Sequence, residues 1–218
     1  MASARHRAAA LATAATLVLA PLLAGCGSST SDDGGAPVTG ITTSDDDGYR
    51  GIKLDTAYTV PPVTLTDTGG RPFELATQTK RTIVFFGYTQ CPDICQVVMS
   101  TIASAVARLS DAEKKQLQVV FVTTDPARDT KAVLRTYLDR YDPSFQGVTG
   151  SLDDIDTLGK PLGIFIKKGQ KLPSGGYEVD HTTTVVGVQG GRGDLVWTAA
   201  TSPSDMASDF RKILKADA

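Results

Sequence analysis

"FFGYTQCPDICQVVM", Phe85 to Met99, is the stretch on which the reading of this chain turns. It overlaps a short apolar run, "TIVFFG" from Thr82 to Gly87, whose length and composition suit a strand buried on both faces. Downstream, Ile94, Val97, Val98, Ile102, Ala105 and Leu109 recur at helical spacing, which predicts a helix from about Pro92 to Leu109. Cys91 and Cys95 stand at the junction of the two. Three uses compete for such a pair: a structural staple, a catalytic dithiol, or half of a metal site.

The pattern around this junction is regular. "VTLTDTGGRPFEL" alternates about the turn Thr68-Gly69-Gly70 and reads as a hairpin. "LQVVFVTTD" is a second buried strand, and "DTKAVLRTYLDRY" an amphipathic helix capped by Asp129 or Thr130. A strand near Phe145 to Val148, a helix in "SLDDIDTLG" and a strand from Leu162 to Ile166 come next. A polar loop with Ser174-Gly175-Gly176 precedes His181. The hairpin "TTVVGVQGGRGDLVWTA" and a closing helix, "PSDMASDFRKILK", complete the series. Strands alternating with helices, then a hairpin and a helix, argue for a three-layer α/β domain with a central mixed sheet. A dithiol where the first buried strand meets its helix makes that domain thioredoxin-like. No internal repeat is visible.

The N-terminus reads as a targeting signal. Arg5 and Arg7 form a basic start, "AAALATAATLVLAPLLA" the apolar core, and "LLAGC" resembles a bacterial lipobox, in which cleavage before Cys26 leaves its thiol to carry a diacylglycerol. The expected organisation is a lipoprotein signal peptide over 1–25, a lipidated flexible linker over 26–48 and the domain over 49–218. The linker is rich in Gly, Ser, Thr and Asp, with little to bury. Acyl chains at about 0.8 kcal/mol per buried methylene would hold the protein on the outer side of the cell membrane. The formal charge of −2 becomes more negative when the signal leaves, since that segment carries two arginines and no acid. This excludes the basic face of a nucleic-acid binder.

Of three cysteines, only Cys91 and Cys95 then remain free, outside the cytosol where oxidation is allowed. His6 departs too, leaving His181 as the sole imidazole. Positions i and i+4 on a helix hold their Cβ atoms about 5–6 Å apart. A disulfide wants about 3.5–4.5 Å, but Cys91 precedes the first helical residue, where the backbone can adjust. A bond across three residues removes little unfolded-chain entropy, so the staple is weak. The free amides and dipole of a helix start favour thiolates. Thioredoxin-type catalysts usually carry two intervening residues and a proline facing the dithiol. This chain has three, and its matching location holds Asp180 and His181. Two thiolates and one imidazole suit copper(I) better than zinc, which wants four donors. Met99, one turn past Cys95, reads as core rather than a thioether ligand.

"FFGYTQCPDICQ", "TTDPARDTKAVLRTYLDRYDPSFQGVTG" and "VDHTTTVVGV" together resemble the Sco/SenC family of copper-binding thioredoxin-like proteins, from about Pro62 to Leu214. The resemblance implies a copper chaperone, not an enzyme, that helps metallate the binuclear copper centre of cytochrome c oxidase subunit II. It would act by metal transfer, by reducing that subunit's cysteines, or both, with copper supplied by another donor protein. It carries ligand roles onto Cys91, Cys95 and His181, and makes Asp125 a nearby carboxylate that tunes the site, or else a turn former before Pro126. The chain departs from the family in Gln96, where proline commonly follows the second cysteine, and in "DHTTT", where the family usually has Asp-His-Ser. A reductase acting on a partner's cysteines is the second reading. A peroxidase is the third, weakened by the lack of a Pro-x-x-x-Thr/Ser-x-x-Cys arrangement.

Overall fold

In the computed structural model, which describes residues 48–171 and 177–216, the strand β4 (Arg81–Gly87) is buried along its whole length. Its side chains divide with period two. Ile83 and Phe85 enter one core, Val84 and Phe86 the other. This split is what a sheet covered on both faces requires, and it bears out the reading of "TIVFFG". The signal peptide, Cys26, the linker up to residue 47 and the loop Ser174-Gly175-Gly176 lie outside the described residues.

β4 runs parallel to β5 (Leu117–Thr123), which runs parallel to β6 (Gln146–Thr149). On its other side β4 is antiparallel to β9 (Val185–Gln189). The eight-stranded order is β1-β10-β9-β4-β5-β6-β2-β3, with β1 Ile52–Thr59, β2 Thr64–Asp67, β3 Pro72–Glu74 and β10 Arg192–Trp197. A separate antiparallel pair, β7 (Ile166–Lys171) and β8 (Tyr177–His181), stands outside this sheet. The helices α1 (Ile94–Ala107), α3 (Lys131–Leu138) and α5 (Pro203–Ala216) cover the Phe85 face; α4 (Leu152–Gly159) covers the Phe86 face. The three-layer mixed-sheet architecture is the one expected. Among the described residues no helix is long and apolar enough to cross a membrane.

Several boundaries differ from expectation. α1 starts at Ile94 and ends at Ala107. The strand expected over Leu162 to Ile166 is instead a 3-10 turn, Lys160–Leu162, followed by Gly163 with φ +73°; the strand begins only at Ile166. Leu162 and Ile164 are core residues, and a left-handed glycine between them breaks the extended run. β1, the short helix α2 (Asp111–Gln116) and the strand β8 that ends at His181 have no counterpart in the sequence reading.

The hairpin of β2 and β3 turns on buried Asp67. Its carboxylate accepts bonds from the Arg71 backbone N–H at 2.8 Å and Nε at 2.9 Å, and pairs with the guanidinium. Burial acts to raise this carboxyl, but the Arg71 bonds and charge outweigh it and hold it below the usual carboxylate range. A depressed folded-state value means that the stabilisation is complete above the unfolded value, about pH 4, and is lost as pH falls through the folded one. Asp67→Asn is therefore expected to lower stability at neutral pH. The gap from wild type should close below about pH 4 in urea titrations run across pH; a gap constant down to pH 2 would contradict this account.

Candidate metal centre

Three elements meet at the end of β4. The strand exits at Gly87 into the turn Tyr88 to Cys91, closed by a bond from Cys91 N–H to the Tyr88 carbonyl at 3.2 Å. The helix α1 follows, and the β7–β8 hairpin arrives from the far side carrying His181 as its last strand residue.

The two sulfurs are unlike. Cys91 lies before the helix, and its Sγ accepts the Cys95 backbone N–H at 3.5 Å. That amide belongs to the first helical turn and has no intrahelical acceptor, so sulfur does the capping. The Asp93 side chain makes no cap bond there. Cys95 is fully buried in the Phe85-face core. Burial and then the hydrogen bond with Cys91 push its thiol well above the ordinary range. Both cysteines are free thiols. Gly87 gives Cys95 its room, because a Cβ there would meet the sulfur at 3.2 Å and the Phe121 and Phe85 rings at 3.0 Å.

His181 Nε2 is 3.5 Å from Cys95 Sγ. Its Nδ1 lies 3.0 Å from the Thr182 carbonyl. A carbonyl only accepts, so Nδ1 carries the proton and Nε2 presents its lone pair toward Cys95. The ring is set edge-to-face against Phe85 and Tyr88, with centroids 6.2 and 6.0 Å away. The Tyr88 hydroxyl also accepts the Val179 N–H, latching β8 to the turn. Orienting the ring through the nitrogen not used for binding is how metal-ligating histidines are held. Among the described residues no three His, Cys, Asp or Glu side chains converge as a closed metal cage. Cys95 is the shared member of a row of two contacts: its backbone N–H meets Cys91 Sγ and its own Sγ meets His181 Nε2.

Asp125 lies outside this row. It is buried and bonded to Arg128, whose guanidinium also reaches Gln90 Oε1 at 3.5 Å and sits 5.7 Å from the Tyr88 ring centroid. Its place is behind the Cys91 turn. Met99 is wholly buried in the core. Gln96 donates to the Cys91 carbonyl at 3.4 Å, so this residue braces the turn where the family commonly has proline.

The sequence offered no sign of the role of Asp129. Thr130, not Asp129, caps α3, accepting from Val133 N–H. Asp129 turns inward instead, accepting Thr89 N–H at 3.0 Å, Thr89 Oγ1 at 2.6 Å and Thr123 Oγ1 at 2.7 Å. Burial raises its carboxyl despite these donors.

Comparison with known proteins gives the family and the fold. The SCO1/SenC family matches residues 53–215, three-quarters of the chain. The chain belongs to the SCO1/SenC family. A protein of Stutzerimonas stutzeri named for copper binding is 38% identical over 132 residues, covering 60% of this chain and 64% of that one. The yeast mitochondrial protein SCO2 is 34% identical over 123 residues, which is 56% of this chain but only 41% of the yeast protein. The matched stretch thus spans less than two-thirds of each of these two relatives. The apo Sco1 structure from Thermus thermophilus superposes with a TM-score of 0.69 at 30% identity, over 76% of this chain and 96% of that one. Yeast Sco1 with copper bound gives 0.67 at 27%, over 73% and 90%. The Sco fold, thioredoxin-like with a mixed sheet, is therefore the fold of this chain.

Proposed function

We propose that this chain is a copper chaperone, anchored outside the cytosol through a lipid on Cys26, that helps metallate the binuclear centre of cytochrome c oxidase subunit II. Copper is its cargo, received from another donor protein. Cys91, Cys95 and His181 are the ligands. One observation carries the reading: the only imidazole expected in the mature chain aims the lone pair of Nε2 at a buried thiol, 3.5 Å from its sulfur. Two soft sulfurs and one nitrogen favour copper(I). Support also comes from the copper bound by yeast Sco1 and from a solved relative described as a member of the Sco family of cytochrome c oxidase assembly proteins. The domain acts from residue 49 onward, behind a cleaved signal over 1–25 and a tether over 26–48.

Loading requires Cys91 Sγ to leave the Cys95 amide and turn toward the ion, and the Cys95 thiol to give up its proton. Metal binding drives that deprotonation. Cys91, ahead of the helix and the less deeply buried of the two sulfurs, is the one a recipient's ligand would replace first.

The free, adjacent thiols also support a reductase reading. Cys91 would attack a partner's disulfide and Cys95 would resolve the mixed disulfide; the partner leaves with two thiols and this chain keeps a disulfide. X-ray absorption on the reduced, copper-loaded chain tests the chaperone site. One copper with two sulfur neighbours and one nitrogen is expected. Sulfur-only ligation would refute the assignment of His181.

A further inference from the structure

We propose that Asp129 is a positioning residue of the metal centre: it grips Thr89, two residues before Cys91, and so holds the Tyr88–Cys91 turn with its sulfur facing Cys95. The proposal deepens the site described above and rests on Cys91 being a ligand.

The other anchors of the turn are longer: the Tyr88 hydroxyl accepts Val179 N–H at 3.5 Å, and Arg128 lies 5.7 Å from the Tyr88 ring centroid. Within it, Cys91 N–H bonds to Tyr88, and Gln96 touches the Cys91 carbonyl at 3.4 Å. Arg128 reaches Gln90 at 3.5 Å. The two bonds from Thr89 to Asp129 are shorter, at 3.0 and 2.6 Å, and they fix both the backbone and the side chain of one residue. Asp129 is itself immobilised. It is wholly buried, and its Oδ2 also takes the Thr123 hydroxyl at the last residue of β5. Thr123 pairs in register with Gly87, the last residue of β4. The Thr123 hydroxyl in turn accepts the Asp125 N–H at 2.9 Å. The carboxylate therefore ties the exit of β4 to the exit of β5, and the turn bearing Cys91 is hung from that tie.

A ligand needs placement within about 0.5 Å to bind its metal well, and that precision comes from the groups behind it. Deleting such outer partners commonly costs about 10–100-fold in metal affinity. Asp129 makes no hydrogen bond to an expected ligand; its two bonds to Thr89 are what tie it to the Cys91 turn.

The test uses the full-length chain with Asp129→Ala, Asp129→Asn and Thr89→Val. In the metal-free, reduced state, Cys91 and Cys95 are alkylated with iodoacetamide and quantified separately by peptide mass spectrometry. Asp129→Ala should raise the Cys91 rate about tenfold, as a freed turn exposes it, while buried Cys95 keeps its wild-type rate. Thr89→Val should act in the same direction and less. Asparagine can still accept from Thr89 N–H and Thr123 Oγ1 through its one oxygen, so Asp129→Asn should stay near wild type.

Copper(I) affinity, measured by competition with bicinchoninate, should then fall about 10–100-fold in Asp129→Ala and recover in Asp129→Asn. An equal rise at both cysteines would mean general loosening and would overturn the proposal. Failure of asparagine to rescue would overturn it too. Should Asp129→Ala not fold, an unchanged Cys91 rate in Thr89→Val would count against it. If wild type binds no copper(I), the ligand assignment fails, while the alkylation ratio still judges the hold on the turn.

Discussion

Alanine at position 181 is expected to weaken copper(I) binding by the reduced chain at least about 100-fold and to leave the fold intact. The magnitude follows from what the ring supplies. Groups that merely orient a metal ligand are worth about 10–100-fold, and His181 is the expected ligand itself, the single nitrogen against two sulfurs. A 100-fold loss corresponds to about 2.7 kcal/mol. The structural cost should be smaller. His181 ends β8, outside the eight-stranded sheet, and is half-buried. Its ring packs edge-to-face against Phe85 and Tyr88.

Competition with a copper(I) chelator measures the first effect and thermal melting the second. The same variant separates the two readings of function, because the dithiol survives it. Cys91 Sγ still meets the Cys95 amide, so the pair's reduction potential should change little. If metal transfer is the task, cells carrying His181→Ala assemble little active oxidase. If oxidase activity persists in His181→Ala but is abolished by Cys91→Ser, thiol reduction is the task and the chaperone mechanism fails. A Cys91–Cys95 disulfide would consume both sulfur donors, so copper loading and oxidation exclude one another.

Why one half of this site could be read from the chain and the other could not has a physical basis. β4 and α1 carry strong periodicities, and these alone put the cysteine pair at their junction. His181 stands out because it is the only histidine after His6 and it shortly precedes the apolar run of β9. Asp129 offers no such cue. Its partners Thr89 and Thr123 are neutral, polar and ordinary, and Thr89 lies 40 residues away in the chain. An "RDT" before a helix reads as a cap, and Thr130 fills that role so well that its neighbour is released for another.

The fold shows the same division. β1 escaped notice because it is an edge strand whose eight residues include one buried side chain, Leu54, leaving little alternation to detect. α2 buries nothing, so hydrophobic periodicity is silent there. Its Ser110-x-x-Glu113 capping box was nonetheless present to be found, with the Ser110 N–H donating to Glu113 at 2.7 Å. Leu162 to Ile166 failed the opposite way. Four apolar residues imitate a strand, while Gly163 turns the chain so that Leu162 and Ile164 serve the core from a bend.

Asp209→Ala is the substitution expected to cost the most stability, roughly 3–5 kcal/mol, with no direct effect on copper. Asp209 is buried on α5 and accepts three N–H groups: Gly51 at 2.7 Å, Arg50 at 2.9 Å and the indole of Trp197 at 2.8 Å. Trp197 is among the largest wholly buried side chains, at the end of β10 and edge-on to Phe210. Alanine leaves the indole N–H without an acceptor in a dry core, at about 1–3 kcal/mol. It also releases the segment entering β1, since Arg50 and Gly51 lose the bonds that fix them.

The nearby ion pair offers a contrast. Arg50 and Asp205 lie 3.8 Å apart with side chains 69% and 47% exposed, so Asp205→Ala should cost under about 1 kcal/mol. Urea unfolding of both variants beside wild type measures the difference. At about 2–4 °C per kcal/mol for a domain of this size, Asp209→Ala should melt about 10 °C lower. Equal losses in the two variants would show that burial of the carboxylate had been misjudged as the source of its strength. The copper affinity of Asp209→Ala, measured well below its melting temperature, should match wild type, because the groups that Asp209 holds, Arg50, Gly51 and Trp197, include no expected ligand.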